Sequence, residues 1–280
     1  MILQTVLEST RPIYNKELHI QGSFVWVSDF EIPYHNAEFI NQVFTLARQH
    51  KITKCVWGGD ALHLEAFSPF KGGDSDAEKE VAEIDEFLPG FLEPFEEIFW
   101  LVGNHDERLA RRLADLGIRT TNEKALRMMV APETVELFTR KVKISEYRFM
   151  RAGNDWLLEH PKNASVLPGR VAQQLTSKFH KHALVGHTHN VGKAMYNGYW
   201  AIETGHCLDS QRLAYNSQIH STRPQMAQGA VLMIWHNQQY VPIDLTPQTI
   251  PYYLESSNLP LKNKSTPVTP ARRTATRSKK

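Results

Sequence analysis

Phe24-Val25-Trp26-Val27-Ser28-Asp29-Phe30-Glu31 sets four apolar residues before two carboxylates. A short apolar run of this kind reads as a β-strand buried on both faces. An ionised carboxylate at the end of such a strand is costly unless a hydrogen-bond network, an opposite charge or a metal meets it. The same event recurs four times along the chain. Lys54-Cys55-Val56-Trp57 ends in Gly58-Gly59-Asp60, and Ile98 to Val102 ends in Gly103-Asn104-His105-Asp106. Asp155 to Glu159 leads into His160, and Ala183-Leu184-Val185 leads into Gly186-His187-Thr188-His189.

Amphipathic segments separate these runs. Asn36 is placed to cap a helix whose Phe39, Ile40, Val43, Phe44 and Ala47 share one face. Val81, Ile84, Phe87, Leu88 and Phe91 mark a second helix, which Pro89-Gly90 is expected to interrupt or end. A basic helix over Arg108 to Leu116, a helix near Pro132 to Arg140 and a stripe of Val171, Leu175 and Phe179 follow. Asn197-Gly198 signals a type I′ hairpin, and Ala230 to Trp235 with Tyr240 to Ile243 reads as another. Strands alternating with helices predict an α/β layered core, in which ligand sites form outside the carboxyl ends of the strands. The five polar strand ends are therefore expected to meet.

A chain of 280 residues, 41% hydrophobic, suits one large domain or two small ones. Its two cysteines provide neither a disulfide framework nor a Cys-x-x-Cys knuckle, which favours a reducing, cytoplasmic setting. No basic leader and no apolar run of about 18 residues is present, so neither secretion nor a membrane span is expected. The net charge of +2 hides a division. Residues 261 to 280 carry seven Lys or Arg and no acid, leaving 25 basic and 30 acidic residues in the rest. The expected folded body covers residues 1–255. A basic tail over 256–280 is too poor in large apolar residues to repay the entropy of ordering. Such a tail either holds nucleic acid or an acidic partner, or is a solvated terminus.

Asp, Glu, His and one Asn without thiolates suit Mn²⁺, Fe²⁺ or Zn²⁺, and two such ions can clamp a phosphate and activate a water between them. Asp29, Gly59-Asp60, Gly103-Asn104-His105-Asp106, His160 and Gly186-His187-Thr188-His189, in this order, resemble the signature of the calcineurin-like metallophosphoesterases. The resemblance spans residues 22 to 245. Ser-Asp-x-x-Ile-Pro-Tyr-His, Gly-Asn-His-Asp-Glu-Arg-Leu and Glu203-Thr204-Gly205-x-Cys207 are similar to compact phage and prophage members.

This resemblance implies a four-layer α/β/β/α sandwich of two mixed sheets flanked by helices. It implies hydrolysis of phosphomonoesters or phosphodiesters, with a nuclease acting on DNA or RNA as the more specific form, in a bacterial or phage-infected cytoplasm. It further implies two divalent ions, Mn²⁺ first and Fe²⁺, Zn²⁺ or Ni²⁺ as alternatives. Asp29, Glu31 and His189 would hold one ion, Asp60 would bridge, and Asn104, His160 and His187 would hold the other. His105 would act on the leaving group, with Asp106 orienting its ring. The chain departs from the family pattern at Glu31, where His is usual, at His63, where an acid is frequent, and at Pro161, where Gly is frequent. A small-molecule or phosphoprotein phosphatase and a noncatalytic scaffold are the alternative readings. His63 is read as supporting the site without ligating, and His35 as fixing its loop.

Overall fold

The structure, a computed structural model, describes residues 17–69, 76–145, 147–212 and 226–256. Of the basic tail, residues 257–280 lie outside them. Twelve strands are described: β1 (His19–Ile20), β2 (Phe24–Val27), β3 (Lys54–Trp57), β4 (Glu97–Leu101), β5 (Val142–Ser145), β6 (Phe149–Ala152), β7 (Trp156–Glu159), β8 (His182–Val185), β9 (Val191–Tyr196), β10 (Tyr199–Thr204), β11 (Ala230–His236) and β12 (Gln239–Leu245). Among them run helices α1 (Ala37–Gln49), α2 (Ala77–Leu92), α3 (Arg108–Asp115), α4 (Asn122–Arg127), α5 (Pro132–Lys141), α6 (Arg170–Phe179) and α7 (Ile250–Ser256).

The strands form two mixed six-stranded sheets, ordered β12-β11-β2-β3-β4-β5 and β1-β6-β7-β8-β10-β9. Side-chain alternation along β2, β3 and β4 sorts the core into layers. Val25, Val27, Cys55, Trp57, Ile98 and Trp100 face α1 and α2. Phe24, Trp26, Val56, Phe99 and Leu101 face the other sheet, where Met150, Leu158, Leu184 and Ile202 meet them. On the far side of that second sheet, Ala183, Val185 and Ala201 pack under Ala172 of α6. Three apolar layers separate four structural ones, which is the α/β/β/α sandwich expected.

β2, β3 and β4 run parallel, as do β7, β8 and β10. The carboxyl ends of both sets come together at one end of the sandwich, where Trp26 Nε1 donates to Thr204 Oγ1 at 3.0 Å across the two sheets. Asn36 caps α1 as expected, its Oδ1 accepting from Phe39 N–H at 3.0 Å. Both hairpins form on paired positive-φ residues, Asn197-Gly198 and Asn237-Gln238.

The expected break at Pro89-Gly90 does not occur, since α2 continues to Leu92. Pro89 sits in the last turn, where its missing N–H costs one bond, and buried Leu88, Phe91 and Leu92 hold the turn against the core. Glu93 N–H then closes the helix on Pro89 O at 2.9 Å. Residues 107 to 150, irregular in sequence, contain α4, the edge strand β5 and the start of β6 as well as the two helices anticipated there.

Candidate metal centre

Loops after β2 and β3 stay paired beyond their strands: Asp29 N–H donates to Gly59 O, Glu31 N–H to Asp60 O and His63 N–H to Ile32 O, each at 3.0 Å. This extension sets Asp29, Glu31, Asp60 and His63 side by side in the interior, all of them buried. Two clusters of metal-capable atoms result. Asp60, His160 and His187 form one, and Glu31, His63 and His105 form the other.

In the first cluster, His160 Nε2 lies 3.2 Å from Asp60 Oδ2 and 3.4 Å from Asn104 Oδ1. The other ring nitrogen, Nδ1, lies 2.8 Å from Gly58 O. A backbone carbonyl there fixes the tautomer and turns Nε2 toward the cluster, as the outer partner of a metal-ligating histidine does. Asp60 Oδ1 accepts His105 N–H at 2.8 Å, so its two oxygens are oriented separately. Asp29 and His189 meet at 3.1 Å through Oδ1 and Nε2, and the same Nε2 lies 3.5 Å from Glu31 Oε1. Both Asp29 oxygens accept the N–H of His187, at 3.1 and 2.9 Å. All seven residues expected to hold metal are thus brought to one place.

Their electrostatics follow from burying acids beside imidazoles. Burial raises the cost of the Asp60 charge, but His160 and His105 outweigh it and hold the carboxyl far below its usual range. Burial likewise disfavours charge on His160, yet Asp60 pushes it up to about 9. His187, desolvated and beside His160, falls to about 4. Glu31 Oε1 and His105 Nδ1 are buried and make no hydrogen bond. Three buried carboxylates, three imidazoles, one amide oxygen and these orphaned atoms fit a pair of divalent ions of borderline hardness.

The backbone is bent to reach this arrangement. Asp29, Glu31, Asp60, His187 and His189 all have positive φ, between 46° and 73°. Each such L-residue costs about 1–2 kcal/mol, and clusters of them mark functional sites. Glycines give room for it: a Cβ on Gly59 would lie 2.1 Å from His160 Nδ1, and one on Gly103 would lie 2.1 Å from Asp60 Oδ1.

Asp106 does not orient the ring of His105. Its carboxylate accepts Leu62 N–H at 2.9 Å, Gly103 N–H at 2.7 Å and Trp100 Nε1–H at 3.2 Å, which ties the β3 and β4 loops together. The His105 ring stands instead 3.4 Å from Glu31, Nδ1 to Oε2. His35 is packed edge-on against Phe87 and Phe91, a support for its loop. His63, read from the sequence as a support, is hydrogen-bonded to Glu31. Two further residues gain roles that the sequence reading did not give them. The ring of His206, following β10, lies 5.4 Å from that of His189 and is held neutral by burial. Buried Glu203 accepts Val171 N–H at the start of α6 (2.8 Å) and Thr188 Oγ1–H (3.0 Å), bracing the loop between His187 and His189. For His206 the signal was the one used elsewhere, a metal-capable side chain just past a strand.

These side chains open onto a cavity of about 690 Å³, lined among others by Asp60, Asn104, His105, Arg108, His187 and His189. Arg108, at the start of α3, is largely buried in the cavity wall, where Nη1 donates to His63 O at 2.6 Å and to Glu65 Oε2 at 3.2 Å.

No protein-family model and no curated protein matches the chain. Among solved structures, an archaeal phosphodiesterase is similar at 13% identity over 80% of this chain and 99% of that one, with a TM-score of 0.43. Vacuolar protein sorting 29 from Cryptosporidium parvum follows at 14% identity, 80% and 98% coverage and a TM-score of 0.39. Yfce, a phosphoesterase from E. coli, stands at 12% identity, 80% and 98% coverage and 0.37. With identities and TM-scores this low, the likeness has no bearing on activity.

Proposed function

We propose that this chain is a metal-dependent phosphoesterase of the calcineurin-like kind, hydrolysing phosphomonoesters or phosphodiesters. One observation supports it above the rest: metal-capable side chains from five strand ends converge beside one cavity. Asp29, Glu31 and His189 would hold one ion, Asn104, His160 and His187 the other, with Asp60 between them. Bound there, two divalent ions, Mn²⁺ foremost and Fe²⁺, Zn²⁺ or Ni²⁺ as alternatives, would polarise the phosphate oxygens and acidify a water.

The chain's own residues supply the rest. Asn104 contributes an oxygen without charge, which keeps the site positive enough for phosphate. His105, on the cavity wall, would give a proton to the departing oxygen. Arg108 adds a fixed cation to the wall, and its bonds to His63 and Glu65 hold it in place. Burial of the carboxylates strengthens each of these interactions by excluding water.

The test is turnover of an aryl phosphate and a bis-aryl phosphodiester by Mn²⁺-loaded protein, against an Asp60→Asn, His187→Ala double variant. Equal rates on both probes defeat the proposal. Nucleotides, phosphopeptides and single- and double-stranded DNA and RNA extend the screen. Nucleic-acid binding that weakens steeply with salt and on removal of residues 261–280 would make the tail a nucleic-acid arm. Binding unchanged by that truncation would favour a small-molecule or phosphoprotein phosphatase.

A further inference from the structure

We infer that His63 is the positioning residue that presents Glu31 to a metal ion through a single oxygen, Oε1. The inference rests on the two-metal phosphoesterase reading and concerns how this chain manages a carboxylate at that position.

The two oxygens of Glu31 have different surroundings. Oε2 accepts from His63 Nδ1 and lies 3.4 Å from His105 Nδ1. Oε1 is buried, makes no hydrogen bond and faces His189 Nε2 at 3.5 Å, the nitrogen that also meets Asp29 Oδ1 at 3.1 Å. One oxygen is therefore spent on support and the other is aimed, with Asp29 and His189, at a common point.

His63 itself has no nitrogen left for an ion. Nδ1 is taken by Glu31, and Nε2 lies 3.1 Å from Glu65 Oε2. Its backbone is fixed at both ends, N–H to Ile32 O at 3.0 Å and carbonyl to Arg108 Nη1 at 2.6 Å. The ring of Tyr34 closes one face at 4.7 Å. Glu65 is held in turn by Arg108 at 3.2 Å. A chain of contacts thus runs from the cavity wall through Arg108, Glu65 and His63 to Glu31. Without the imidazole, Glu31 loses the hydrogen bond that fixes its carboxylate, and Oε2 becomes a second buried oxygen without one.

The experiment is a Co²⁺ titration of the metal-free full chain, read by the d–d absorption bands and by chelator competition. It uses the parent, His63→Ala, His63→Asn and Glu65→Gln. The parent binds two ions. His63→Ala still takes up two at saturation with unchanged band positions, but one of them binds 10- to 100-fold more weakly, the range for lost outer partners. His63→Asn, whose amide N–H can reach Oε2 as Nδ1–H does, recovers most of that affinity, and Glu65→Gln shows a smaller loss. Parent-like affinity for both ions in His63→Ala overturns the inference. So does a band shift that reports a lost imidazole ligand, which would make His63 a ligand. If His63→Ala does not fold, as judged by circular dichroism, His63→Asn and Glu65→Gln decide the matter: parent-like affinity in Glu65→Gln together with an Asn variant as weak as a non-binder counts against positioning. A parent that binds no Co²⁺ removes this inference and the phosphoesterase reading together; one that binds two ions without turnover removes only the phosphoesterase reading.

Discussion

Replacing Gly59 with alanine should empty half of the proposed metal centre while leaving the fold in place. The added Cβ would stand 2.1 Å from His160 Nδ1 and 2.4 Å from its Cγ, where ordinary carbon contacts begin near 3.5 Å. The ring must retreat by roughly 1.4 Å to reach such a contact. It has nowhere to go without loss: His160 is fully buried, bonded to Gly58 O at 2.8 Å and packed 5.0 Å from the ring of His187. Metal–ligand distances tolerate about 0.2 Å, so a shift of this size removes His160 as a ligand. The backbone adds its own penalty, because Gly59 has φ 96°. An L-residue there costs about 1–2 kcal/mol, and the lost imidazole bond about 1 kcal/mol. The sum, about 2–3 kcal/mol, corresponds to a fall in Tm of roughly 5–10 °C for a domain of this size. Elemental analysis after Mn²⁺ loading should find one tightly held ion per chain instead of two. Gly90→Ala is the control, since nothing lies within 4 Å of a Cβ there. A Gly59→Ala protein with two ions and an unchanged Tm would refute the reasoning.

Asp106→Asn should lower stability by about 2–3 kcal/mol, measured by urea unfolding, because an amide cannot accept from all three of its donors. Its ion count should stay at two, which separates a loop clamp from a ligand. Glu203→Gln should cost about 1–2 kcal/mol and weaken ion binding at His187 and His189, followed by chelator competition, since it loses the charge that faces the start of α6 and holds Thr188. Ion uptake should release protons at pH 7.5, because His160 in the metal-free protein is raised to about 9 and must give up its proton to ligate. Calorimetry in two buffers of different ionisation enthalpy reads this, and affinity should rise with pH. By the same raised value, the metal-free protein keeps this contribution to stability below about 6.5 and loses it as pH climbs through 9.

The parts of the fold legible in the sequence are those that local physics decides. β2, β3, β4, β7 and β8 are short apolar runs buried on both faces, and their boundaries agree with the reading to within a residue. Asn197-Gly198 declared its turn because it needs two positive φ values in succession. β1, two residues long, carries no such mark; its pairing with β6, not its own composition, makes it a strand. β5, Val-Lys-Ile-Ser, owes its place to pairing with β4. In the site, Asp29, Asp60 and the His187/His189 pair were visible because each follows a strand at once. The partnership of Glu31 and His63 was not, since those residues lie 32 positions apart and meet only because the Ile32 and Leu62 segments bridge in parallel beyond the ends of β2 and β3. Asp106 was misread for a related reason: neighbouring His105 in sequence says nothing about which way a carboxylate turns in a loop.

The left-handed backbone at Asp29, Glu31, Asp60, His187 and His189 has an evolutionary consequence. These conformations suit glycine and asparagine, so on the proposed reading a lineage freed from metal binding would gain stability by drifting toward them. Laboratory selection for heat resistance alone should travel the same road, fixing Gly or Asn at Glu31 or His187 before touching the sheets. Sequencing the survivors would read, position by position, how much stability the chain forgoes to keep its centre assembled.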